Sequence, residues 1–135
     1  MVVWVILIMA IAAYQDLKYR IIPDRLLGVG TIGSILIWAC WGEMHWWECI
    51  LGAIVVGGIL FLGAYLSNGG IGGGDIKLMA WLGASTGFIF AASVLLLGTI
   101  LAFFYGMLHQ RWTQEKSFPL AHCFFIAMLI TYIFN

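Results

Sequence analysis

Charge is scarce in this chain. Of its 135 residues only 9% are Asp, Glu, Lys or Arg, where a soluble domain carries about a quarter. The six basic and six acidic residues cancel, so no net charge draws the chain to nucleic acid. Proline is nearly absent, at two residues. The three cysteines, Cys40, Cys49 and Cys123, form neither a CxxC pair nor a zinc-ligand spacing. Cys40 and Cys49 flank one loop and could bridge in an oxidising compartment; the plainer reading is three buried thiols. Polar side chains are too few to clothe a water-facing globule, which excludes a separate soluble domain or a disordered tail.

Apolar length fills the space that charge leaves. Hydrophobic residues make up 64% of the chain, and mean hydropathy is +1.06. One bilayer span takes roughly 20 apolar residues, so the chain has room for about six with short connections. It reads as one all-α, polytopic membrane domain over residues 1–135.

Six segments emerge. Met1 to Tyr14 is apolar and runs into the polar stretch Gln15 to Arg20. Pro23 and Asp24 open a second run that lasts to Trp41; proline suits a first helical turn and an acidic residue its positive end. Cys49 to Leu66 is a third run, ended by a glycine-rich break from Ser67 to Gly74 that has too few side chains for a stable helix. Asp75 to Ala84 makes a short helix, Phe88 to Leu108 a long one, and Pro119 to Phe134 the last. Gly52, Gly57, Gly58 and Gly63 give the third segment a small surface for close helix packing.

Charge placement orients these segments. With alternating crossings, Lys18, Arg20, Arg25, Lys77, Arg111 and Lys116 all fall on one side, which the positive-inside rule makes cytoplasmic. Both termini are then expected outside the cytoplasm. The positive charges follow the first apolar run instead of preceding it, the reverse of a cleavable signal peptide. Trp38, Trp41, Trp46 and Trp47 bracket the opposite loop and read as headgroup anchors.

An ionisable group within a span is costly, so each one is a functional candidate. Asp16 ends the first segment and Asp75 begins the fourth, which puts both at the cytoplasmic face. Two carboxyl groups a few ångströms apart do not both ionise readily, and one keeps a proton. The ionised partner can take a proton from water as it attacks a peptide carbonyl, while the protonated one bonds that carbonyl. Such chemistry requires no metal and no cofactor. Gly69, Gly70, Gly72, Gly73 and Gly74 precede Asp75 and would let an extended peptide approach the backbone.

Gly72-Gly73-Gly74-Asp75-Ile76-Lys77-Leu78 resembles the GxGD motif of the type IV prepilin peptidases. Asp16-Leu17-Lys18-Tyr19-Arg20-Ile21-Ile22-Pro23-Asp24 resembles the first aspartate block of the same family. The resemblance implies a GxGD-type intramembrane aspartic endopeptidase with Asp16 and Asp75 as its catalytic dyad. It implies substrate contacts at Gly72, Gly73, Gly74, Lys77 and Pro23. It also implies an inner-membrane enzyme that removes a short basic leader from prepilin-like or pseudopilin precursors, in association with pilus or secretion machinery.

Three departures are visible. No loop with paired CxxC motifs separates the first two segments, so nothing supports methyl transfer. Asp24 stands where the family usually has Asn. The last segment opens Phe118-Pro119-Leu120-Ala121-His122, where the family often has a Pro-Phe-Gly-Pro-like stretch. The compact form looks most like the short peptidases of Tad-type pilus systems or archaeal preflagellin peptidases.

Other residues read more plainly. Asp24 suits a helix N-terminus. Lys77 points roughly 200° away from Asp75 around a helix and fits an interfacial anchor. His122 could neighbour the dyad, though a core histidine bonded to backbone is the simpler reading. Gly28-Val29-Gly30-Thr31-Ile32-Gly33 matches a dinucleotide fingerprint but lies inside a span, without the strand that the fingerprint needs. The rival function is a channel or transporter subunit whose two aspartates relay protons or bind a cation.

Overall fold

The computed structural model describes residues 1–19, 21–42, 45–67, 71–110 and 120–134. Among them all regular structure is helical: α1 (Val2–Tyr19), α2 (Asp24–Trp41), α3 (Trp46–Leu66), α4 (Gly73–Thr86), α5 (Phe88–Gln110) and α6 (Ala121–Phe134). Three stretches, Val2–Tyr19, Trp46–Leu66 and Phe88–Leu108, are long and apolar enough to cross a bilayer. At 1.5 Å per residue, the 14 residues of α4 and of α6 reach about 21 Å, less than the roughly 30 Å hydrocarbon core.

The exterior is as apolar as the interior. Ile32, Ile54, Phe61, Ile89, Leu96 and Phe103 are all more than half exposed. Such a surface would aggregate in water; facing lipid, it costs nothing. The interior is a single cluster in which Val5, Met9 and Ala12 of α1 meet Leu78, Met79 and Leu82 of α4 and Phe124 and Met128 of α6.

Two differences from the sequence expectation concern helix ends. α1 continues through the polar stretch to Tyr19, because Asp16 extends the stripe of Val5, Met9 and Ala12 at spacings of three and four. α4 begins at Gly73, with Gly72 as its N-cap, so Gly73 and Gly74 are helical instead of part of the break. The Gly72 carbonyl accepts from the Asp75 and Ile76 amides, at 3.1 and 3.4 Å. A Cβ on Gly74 would lie 3.1 Å from that of Ile22, so the bare backbone lets the α1–α2 connection press onto the helix start. Gly69 and Gly70 lie outside the described residues.

Small residues set the closest helix contacts. Gly52 of α3 and Gly83 of α4 meet backbone to backbone, and Gly57 rests on Ala80. Gly63 faces Ile71, whereas Gly58 points into open space and takes no part in this seam. α4 turns into α5 through Gly87 alone, at φ 84° and ψ 169°, where a side chain would be strained. The glycines of the apparent fingerprint lie within α2. Gly33 receives the Trp4 ring, Gly30 lies against Trp81, and Trp4 Nε1 donates to the Gly30 carbonyl at 3.2 Å.

All three cysteines carry thiols. Only Cys123 is buried; Cys40 is exposed and Cys49 half-buried, which corrects the reading of three buried thiols. Both lie toward the loop end, where α2 and α3 present their faces outward instead of to a core.

Candidate active site

Three helix ends converge. The last turn of α1 carries Asp16, the first turn of α4 carries Asp75, and the first turn of α6 carries Ala121 and Cys123. Asp16 and Asp75 are 7% and 6% exposed, which places both carboxyl groups inside the protein. They are close enough for the charge of Asp16 to act on Asp75, and both act on the Cys123 thiol.

The two carboxyl groups are dressed differently. The Ala121 amide donates to Asp16 Oδ2 at 3.0 Å, in a buried contact. Ala121 is the first residue of α6, where the backbone N–H has no partner within its own helix. Asp75 Oδ1 is buried without a hydrogen-bond partner among the described residues. A Cβ on Gly72 would lie 3.2 Å from the Asp75 Oδ2, so the glycine backbone closes tightly over the acid. Gly73 beside it has nothing within 4 Å of the position its Cβ would take.

Lys77 is directed away from Asp75, as the helix arithmetic requires, and its Nζ lies 2.8 Å from Asp24 Oδ1. Both side chains are more than half exposed. Asp24 thus stands at the N-terminus of α2 and also ties that helix to α4. Pro23 is the N-cap of α2, at φ −71° and ψ 134°. Lys18, Arg25 and Lys77 belong to the same end of the bundle as the two aspartates; Arg20, Arg111 and Lys116 lie outside the described residues.

His122 packs edge-on against Tyr105 at 5.2 Å between ring centroids, with Nε2 3.6 Å from Cys123 Sγ. On α6 the Cys123 thiol shares the electrostatic environment of both aspartates. Sequence reading missed Cys123 and the Ala121 amide. A backbone donor carries no residue-type signal; only the helix start after Pro119 hinted at it.

A groove of about 730 Å³ runs between α2 and α3 with α4 as its floor, from Asp24 and Lys77 to Trp38 and Trp46. Neither Asp16 nor Asp75 lines it. The buried Ser34 and Ser85 hydroxyls, 3.0 Å apart, hold α2 to α4 beneath it.

Comparison with known proteins bears on this site. The model of the type IV leader peptidase family matches residues 3–107, a stretch that includes both aspartates. The prepilin leader peptidase/N-methyltransferase of Bacillus subtilis (strain 168) is 28% identical over 134 residues, or 95% of this chain and 53% of that protein. The chain thus spans about half the length of the curated relative it matches. No solved structure matches.

Proposed function

The chain belongs to the type IV leader peptidase family, and from that premise we propose that it is a GxGD-type aspartic endopeptidase cleaving the basic leader from prepilin-like precursors. The observation that supports this reading is that two carboxyl groups, one on α1 and one on α4, are both buried at one end of an apolar helical bundle. One carboxylate takes a proton from a water as its oxygen attacks the scissile carbonyl. The protonated partner bonds the carbonyl oxygen as negative charge grows there. When the C–N bond breaks, a proton passes to the leaving amine. Each step uses groups already present at Asp16 and Asp75.

The substrate backbone lies along Gly72 to Gly74 in this reading, and the open flank of Gly73 supports it. Pro23 and Lys77 border that path from the α2 side. The enzyme is oriented with the dyad end in the cytoplasm and both termini outside the bacterial inner membrane; Lys18, Arg25 and Lys77 at that end favour this orientation. Its partners are prepilin or pseudopilin precursors and the machinery that assembles them. Methyl transfer is not assigned to this chain.

Incubation of the purified protein with a leader-bearing prepilin tests the reading. Wild type yields a shortened product, and Asp16→Asn or Asp75→Asn lowers the rate at least about 100-fold, the scale of lost acid–base catalysis. Precursor left intact beside aspartate-dependent ion flux would instead favour a transporter.

A further inference from the structure

The two aspartates are not equivalent, and the difference lies on α6, beyond the residues that match the family. Asp16 Oδ2 accepts a hydrogen bond from the Ala121 N–H, the first amide of that helix, inside the protein. An amide at a helix start combines a donor without an intrahelical partner with the positive end of the helix dipole. Both features favour a charged oxygen over a neutral one. Among the described residues, Asp75 receives no such bond at its buried Oδ1.

We propose that the Ala121 backbone amide is a positioning group that holds Asp16 as the ionised, proton-accepting member of the pair and leaves Asp75 to carry the shared proton. This assignment rests on the aspartic-peptidase reading above and deepens it. Asp16, tethered to α6, faces the water and removes its proton during attack. Asp75, with an oxygen unengaged by the described residues, turns its O–H toward the substrate carbonyl. His122 and the buried Cys123 thiol, one and two residues along α6, are the titratable side chains nearest Ala121 on that helix. Lys77 on α4 is engaged with Asp24 and does not serve Asp75.

The amide can be removed almost alone. Replacing Ala121 by its α-hydroxy acid turns the peptide N–H into an ester oxygen, and at the first helical position no helix bond is lost. In purified full-length protein, the expected result is a kcat about 10- to 100-fold below wild type with KM unchanged, the scale of one hydrogen bond to a charged group. Ala121→Pro, which also lacks the N–H and suits that position, should behave alike. Ala127→Gly, a buried α6 alanine away from the site, controls for packing and should lower thermal stability while leaving kcat unchanged.

A wild-type kcat in the ester form would overturn the inference while leaving the peptidase reading intact. Cleavage that survives in Asp16→Asn would overturn the peptidase reading instead. Infrared spectroscopy gives a readout independent of turnover. The protonated-carboxyl stretch should persist in Asp16→Asn and vanish in Asp75→Asn. The reverse pattern, or loss in both, would overturn the assignment.

Discussion

Glycine does opposite work at the two ends of α4. Toward its C-terminal end, Gly83 and the facing Gly52 of α3 press backbone on backbone, and a Cβ on Gly52 would lie 2.8 Å from the Gly83 carbonyl carbon. At the N-terminal end Gly73 borders open space beside Asp75. One end lacks side chains so that two helices can touch. The other lacks them where a substrate could enter. A glycine count cannot tell closeness from access; the neighbouring backbone does.

Substitution with alanine separates the two roles. Gly52→Ala should show the larger effect, because its methyl meets main chain that no rotamer change can clear. A loss of roughly 1–3 kcal/mol in unfolding free energy, the scale of overpacking, is expected by denaturation in detergent or bicelles. An unchanged midpoint would show that the α3–α4 seam yields more easily than its geometry implies.

Gly73→Ala should leave stability unchanged or raise it by up to about 1 kcal/mol, as alanine is the better helix former. Cleavage should nevertheless fall by about tenfold, the equivalent of roughly 1.4 kcal/mol at the transition state. Gly58→Ala, also in open space but on α3 away from the acids, should gain the same stability with full cleavage. Equal activity in both variants would remove Gly73 from the substrate path.

The smallest effect is expected at the exposed ion pair between the starts of α2 and α4. Lys77→Ala should cost at most about 1 kcal/mol of stability, and less as salt rises. A larger cleavage defect at unchanged stability would favour a direct role for Lys77 in binding precursor over its tie to Asp24.

The fold was largely legible because its strongest signals are local. Apolar runs and a proline at the start of α2 mark the helices. α1 outlasts its apolar run because packing of Asp16 in line with Met9 and Ala12 carries the helix through the polar stretch to Tyr19. α4 likewise starts before its first apolar residues, at Gly73. Gly73 and Gly74 have poor helix propensity, but Ile22 requires the lack of a side chain at Gly74. Gly30 and Gly33, which imitate a nucleotide fingerprint, turn out to seat Trp81 and Trp4. No rule of spacing within α2 reveals a partner residue on α1 or α4.

The candidate site divides in the same way. Asp16 and Asp75 stand out in the sequence because a carboxyl group within an apolar run is energetically conspicuous wherever the chain goes next. Hydropathy and charge placement, being properties of neighbouring residues and of the solvent around them, determined that the chain is a helical membrane protein with two acids at one depth. Only the tertiary structure decided that the start of α6 donates to Asp16, while Asp75 Oδ1 has no donor among the described residues. That contact joins a backbone amide to a side chain across the bundle, and backbone amides are alike in every sequence until folding gives each one a place.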